Sequence, residues 1–261
     1  MSRNNEDMEK NVEFIVDDSL KLAGVLHRPA AGSGGGVVLC HGMLADKNGP
    51  KHRELARRLC ELGHLVLRFD FAGRGQSQGS LLELTISSQM EQCRQAVRLV
   101  RGEGARRLAL IGSSLGGTTA MGVVAAHDDC DCLVTMAAPS RLDRLGVRLV
   151  GEAGLESWRR QGWQEIEGQR VGYSLVEDAR QHDIDVLAAR IACPWLILHG
   201  ERDQLVPLDD ARRLAGANSA ARLQVVAGAD HRFSQAEHFQ EVVERAVQFA
   251  HQKLSGKLQE R

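Results

Sequence analysis

The sequence predicts an α/β fold: a mostly parallel sheet of about eight strands, helices on both of its faces, and a small helical insertion at 140–190. Three observations predict it. Apolar runs of strand length alternate with stretches of helical spacing along most of the chain, the pattern of strands joined by crossover helices. An apolar run beginning at Arg107 passes directly into Gly112-Ser113-Ser114-Leu115-Gly116 and then into a helical pattern. From Ser140 to about Arg190 the alternation stops.

In chain order, Met1 to Asn11 is polar and reads as a loose arm. Val12 to Val16 and Leu20 to Arg28 read as strands joined by the turn-forming Asp17-Asp18-Ser19. Val37 to Cys40 is a compact apolar strand ending in His41-Gly42. Lys51 to Leu62 carries Leu55, Ala56, Leu59 and Leu62 at helical spacing, with Gly63 as a stop. Leu65 to Phe69 is a strand, Phe71 to Gly79 a glycine-rich turn, and Leu84 to Arg101 a helix. The Arg107 strand and the helix to His127 follow, then a strand at Leu133 to Ala137. The stretch 140–190 is too long for an ordinary connection between strand and helix, so an insertion with its own helices is expected. Beyond it, Trp195 to Leu198 and Leu223 to Val226 are strands; Leu208 to Leu214 and His238 to Leu254 are helices. The whole, 1–261, reads as one domain with the insertion inside it.

Composition narrows the function. Apolar residues make up 43% and charged residues 26% of the 261 positions, ordinary values for a soluble globular protein. A formal net charge of −1 gives no broad basic surface for nucleic acid. No apolar run approaches the ~18 residues of a membrane span, and no membrane partner is expected. The start lacks the apolar core of a signal peptide. The six cysteines form no C-x-x-C pair and no zinc spacing, so buried reduced thiols and a cytoplasmic location are expected.

Gly112 to Gly116 is a G-x-S-x-G run between strand and helix, which presents the serine hydroxyl on a sharp turn. Ser114 is therefore the candidate nucleophile. A Gly/Ser turn without chemistry is the alternative, because five-residue patterns arise by chance. A phosphate loop is excluded, since no lysine precedes Thr118. Two further strand ends decide the matter. Asp203 follows the Trp195 strand and His231 follows the Leu223 strand. Strand ends are where catalytic groups gather in such sheets.

His231 is expected to take the serine proton and Asp203 to hold the imidazole. Asp230 is a rival acid, but it adjoins the histidine; Asp209 and Asp210 read as first-turn helix acids. His238 falls inside a helical pattern. For the oxyanion, the backbone N–H of Leu115 is one expected donor and that of Met43 the other. No metal or cofactor is expected, and no H-E-x-x-H run exists.

His41-Gly42-Met43, Phe69-Asp70-Phe71-Ala72-Gly73-Arg74-Gly75-Gln76-Ser77, Gly112 to Gly117, Gly200 to Pro207 and Gly228 to His231 together resemble the α/β-hydrolase superfamily. Within it the likeness is to the cinnamoyl/feruloyl esterase-like carboxylesterases and the serine aminopeptidase-like hydrolases. That resemblance implies a Ser114–Asp203–His231 triad, an oxyanion hole at Met43 and Leu115, and a cap formed by the insertion. Many relatives carry histidine before the nucleophile; here it is Ser113.

The function expected is a serine hydrolase cleaving a small-molecule carboxylic ester through an acyl-enzyme on Ser114. A thioesterase, acyltransferase or aminopeptidase using the same residues is the alternative, and a non-catalytic binder the third reading. Trp158, Trp163 and Tyr173 of the insertion are candidates for an apolar substrate wall, or else for the insertion's own miniature core. A homodimer is allowed as an oligomeric state.

Overall fold

The computed structural model describes residues 9–17, 19–32, 34–127 and 130–256. Ten strands and eight α-helices occur among them: β1 (Glu9–Val16), β2 (Leu20–His27), β3 (Gly35–Cys40), α1 (Pro50–Glu61), β4 (Leu65–Phe69), α2 (Ile86–Gly102), β5 (Arg107–Ser113), α3 (Leu115–Ala126), β6 (Cys132–Met136), α4 (Leu145–Gln161), β7 (Trp163–Ile166), β8 (Gln169–Gly172), α5 (Ser174–Ala179), α6 (Ile184–Arg190), β9 (Trp195–Gly200), α7 (Leu208–Ala217), β10 (Ala221–Val226) and α8 (Ala236–Ser255). Eight strands form one sheet in the order β1-β2-β4-β3-β5-β6-β9-β10. β2 runs antiparallel to both neighbours, and the six strands from β4 to β10 run parallel.

The two faces follow from the strand period of two. On β3, Val37 and Leu39 pack in the cluster that contains Leu55 and Leu59 of α1 and Val242 and Val243 of α8. Val38 and Cys40 point the other way, into the cluster holding Cys93 and Ala96 of α2 and Ala120 and Met121 of α3. Central strands buried on both faces are near-continuously apolar for this reason. α2 begins two residues later than expected because Thr85 caps it. The Thr85 hydroxyl accepts the Ser88 N–H at 2.9 Å, while a short 3₁₀ turn occupies Leu81–Glu83.

Two expectations need correction. The arm assigned to Met1 to Asn11 is strand from Glu9 onward, paired residue for residue with β2; residues 1–8 and 257–261 lie outside the described residues. The insertion is not wholly helical, because β7 and β8 form an antiparallel hairpin inside it. The hairpin turns on Glu167 (φ 48°) and Gly168 (φ 75°), both left-handed, as a two-residue turn matched to strand twist requires. Trp158, fully buried, donates its indole N–H to the Val171 carbonyl on β8 at 3.0 Å and meets Tyr173 edge-on at 6.2 Å. Those two rings are the insertion's own core.

Candidate active site

Ser114 caps α3 at the carboxyl end of β5, with φ 53° and ψ −125°. A non-glycine residue in this region is strained. The strain is held by neighbours: the Ser114 N–H donates to the Met136 carbonyl at 2.8 Å, and its carbonyl accepts the N–H groups of Gly117 and Thr118. Gly116 permits the corner. A Cβ there would lie 2.3 Å from the His41 carbonyl oxygen and 2.4 Å from that of Cys40. The elbow and the loop after β3 therefore touch backbone to backbone.

Asp203 and His231 come from the loops after β9 and β10, two parallel strands away from β5 and beyond. The Ser114 hydroxyl donates to His231 Nε2 at 3.1 Å, and His231 Nδ1–H donates to Asp203 Oδ2 at 2.7 Å. The other carboxylate oxygen, Oδ1, accepts the N–H groups of Leu205 at 3.0 Å and Val206 at 2.8 Å. One carboxylate is thus oriented by two amides and in turn orients the imidazole. His199 Nε2–H donates to the Val206 carbonyl at 2.8 Å, and burial lowers its pKa, so it stays neutral beside Asp203. The rival Asp230 accepts the Ser234 N–H at 2.8 Å instead of meeting the imidazole. His238 lies in α8 and Asp209 in the first turn of α7, as expected.

The N–H groups of Met43 and Leu115 make no hydrogen bond among the described residues. The loop carrying Met43 is clamped from the glycine-rich turn. Asp70, fully buried, accepts the Lys47 N–H at 2.7 Å, the Lys47 ammonium at 2.5 Å and the Gln76 N–H at 2.9 Å. Arg74 donates to the carbonyls of Ala45 at 3.0 Å and Leu44 at 2.6 Å. His41 bridges the same segments: Nε2 accepts the Phe71 N–H at 3.0 Å, which leaves Nδ1–H to donate to the Gly42 carbonyl at 2.7 Å. Burial pushes this imidazole down to about 4, so it is a neutral brace. Asp70→Asn is expected to cost about 3–5 kcal/mol of stability, because the Lys47 ammonium then stays buried without its counter-charge. Urea unfolding measures that loss; an unchanged midpoint would show that Lys47 can leave the site freely.

A cavity of about 830 Å³ opens over Ser114 and His231. Its apolar wall includes Met43, Leu44, Leu145, Leu149, Ile166 and Leu205, so one side is built from α4 and the β7–β8 hairpin of the insertion. Trp158, Trp163 and Tyr173 do not line it. The sequence-based assignment of these aromatics to the substrate wall is therefore corrected: Trp158 and Tyr173 are turned inward, and Trp163 lies beneath the Arg170 guanidinium, 4.3 Å from its ring centre. Asp210, assigned only to a helix start, has a larger part. Buried, it accepts the N–H groups of Ser140 and Arg141 and a two-pronged pair of bonds from Arg148, both at 2.7 Å, and so ties α4 to α7. No group able to hold a metal ion occurs among the described residues, and none of their helices is long and apolar enough to cross a membrane.

A serine on a strained strand-to-helix corner, at the carboxyl edge of a mostly parallel eight-stranded sheet, defines the class as an α/β hydrolase. The comparisons agree. The chain belongs to the alpha/beta hydrolase family, whose sequence profile matches residues 37–245. The mouse protein named "Palmitoyl-protein thioesterase ABHD10, mitochondrial" is 27% identical over 209 residues, covering 75% of this chain and 67% of the relative. Escherichia coli YfhR, described as uncharacterized, is 25% identical over 228 residues, covering 85% and 73%. Among solved structures, Est1E from Butyrivibrio proteoclasticus with ferulic acid bound superposes with a TM-score of 0.84 at 18% identity, covering 94% of this chain and all of the other. Mouse ABHD10 superposes with a TM-score of 0.74 at 22% identity, covering 92% and 98%. The structural likenesses establish the fold, and the family with its esterase and thioesterase members marks the chain as a hydrolase.

Proposed function

We propose that this protein is a serine hydrolase that cleaves carboxylic esters through an acyl-enzyme on Ser114. The observation that carries the reading is the unbroken line from Ser114 Oγ to His231 Nε2 at 3.1 Å and from Nδ1 to Asp203 Oδ2 at 2.7 Å. His231 takes the hydroxyl proton as Oγ bonds to the carbonyl carbon. The free N–H groups of Met43 and Leu115 receive the oxyanion. Collapse of the adduct breaks the bond to the leaving oxygen, which takes the proton from His231. Water then bonds to the acyl carbon as His231 takes its proton; collapse breaks the bond to Oγ, returns that proton from His231 to the serine and releases the acid. The apolar wall supplied by the insertion suits an acyl chain or an aryl group.

A second reading, thioester cleavage by the same residues, is favoured by the names of the ABHD10 relatives. The cytoplasm fits the six cysteines, all buried and none in a disulfide. A fluorophosphonate probe, followed by mass spectrometry of the peptide containing Ser114, tests the shared chemistry. A covalent adduct on Ser114 is expected; its absence would favour a binding protein without turnover. Rates on matched p-nitrophenyl esters, acyl thioesters and aminoacyl anilides then separate ester from thioester and amide.

A further inference from the structure

Three cations line the cavity: Lys51, Arg148 and Arg232. Arg148 is paired with Asp210, and Arg232 reaches Glu167 at 2.5 Å. Lys51 makes no salt bridge among the described residues. Its ammonium instead lies 4.7 Å from the ring centre of Phe233. It also stands in the first turn of α1, which has Gly49 as its cap, no capping side chain and no acidic residue. That is the positive end of the helix dipole, where a cation is disfavoured. The next residue, His52, is 4% exposed, lines the same cavity, and has an Nε2 without a hydrogen-bond partner among the described residues. Burial lowers the Lys51 ammonium to about 8, with Asp230 opposing the shift, so it remains charged at neutral pH. A half-buried charge at the positive end of a helix, offset by the Phe233 ring and the charge of Asp230 but by no salt bridge among the described residues, departs from a local rule. Such breaks gather at functional sites.

The side of the cavity follows from the loop. His231 must hand its proton to the departing oxygen, so the leaving group lies on the histidine's side. Phe233, the ring beneath the Lys51 ammonium, is two residues further along the same loop. We propose that Lys51 binds an anionic group, carboxylate or phosphate, on the leaving group of the substrate. This assignment rests on Ser114 being the nucleophile and names the substrate class that site selects: esters or thioesters whose alcohol or thiol portion carries an oxyanion. The first-turn N–H groups of Lys51 and His52, unpaired among the described residues, add donors to the same site.

The test compares 4-acetoxybenzoate, charged on its leaving phenol, with its neutral methyl ester; 4-acetoxyphenyl phosphate replaces the carboxylate in a second arm. The expected result is a tenfold or greater fall in the charged-to-neutral kcat/KM ratio in Lys51→Met, with Lys51→Arg keeping most of it. The larger fall of the two arms identifies carboxylate or phosphate. An unchanged ratio in both arms overturns the proposal. A fall confined to a pair charged on the acyl side, such as mono-4-nitrophenyl glutarate against 4-nitrophenyl butyrate, overturns the placement. Calorimetric titration with 4-hydroxybenzoate needs no turnover and separates this assignment from the hydrolase reading. Binding is expected in wild type and in Ser114→Ala and at least tenfold weaker in Lys51→Met; equal binding in all three defeats the anion site. Ester turnover that survives in Ser114→Ala defeats the acyl-enzyme reading of Ser114 instead.

Discussion

Replacing Ser114 with alanine is expected to lower kcat for any ester this protein cleaves by about 10⁴- to 10⁶-fold. Alanine keeps the Cβ and so leaves the φ of 53° and its supporting hydrogen bonds as they are. What it removes is the proposed attacking atom, the Oγ that faces His231 Nε2. On the proposed roles, binding and the two oxyanion donors remain, which is why the expected floor lies above the uncatalysed rate. The comparison is made on material shown by circular dichroism and melting temperature to be folded like the parent. Ester turnover at the parental rate in such a preparation would remove Ser114 from the reaction.

Asp203→Asn is expected to lower kcat by about 10⁴-fold with little change in KM, and the reason lies in hydrogen bonding. The asparagine oxygen can still accept from the amides of Leu205 and Val206, which hold the present Oδ1 at 3.0 and 2.8 Å. Its NH₂ then faces His231 Nδ1, where a carboxylate oxygen now accepts. Nδ1 is forced to become the acceptor, the ring proton moves to Nε2, and Nε2 can no longer take the serine proton. Nuclear magnetic resonance of the histidine nitrogens reads the tautomer directly. Parental turnover with an unchanged tautomer would leave Asp203 as a loop residue only.

Much of the fold was legible because strand and helix signals were local. Leu65–Phe69 matches β4 to the residue, since Gly63 and Asp70 bracket a short run that is apolar except at Arg68. The start of α3 was legible for a different reason: Gly112 and Gly116 mark a corner that no other residue fits. The Ser114, Asp203 and His231 positions came from the order of strand ends, and the structure brings their side chains into one hydrogen-bonded line. β1 was half missed because an edge strand facing solvent lacks the apolar alternation; Glu9, Lys10 and Asn11 are all exposed. The hairpin inside the insertion was missed because its turn is Glu167-Gly168, outside the usual Asn-Gly and Asp-Gly pairs. The cavity wall was misassigned to aromatics because a sequence does not say which face of an insertion turns inward. Asp210 and Lys51 were missed as well. Asp210 acts on Arg148, 62 positions earlier, and Lys51 lies over Phe233 in a loop near the other end of the chain. No local pattern reports such meetings.

The position of His231 carries one more implication. It hangs from β10, the last strand of the sheet, hydrogen-bonded on one side to β9 and open on the other. Peripheral strands open before a sheet's interior does. On the proposed roles, the proton carrier is thus mounted on the outermost plank of the platform while the attacking serine sits near its middle. Mild heating or dilute denaturant should silence turnover well before the molecule comes apart, and cooling or dilution should restore it.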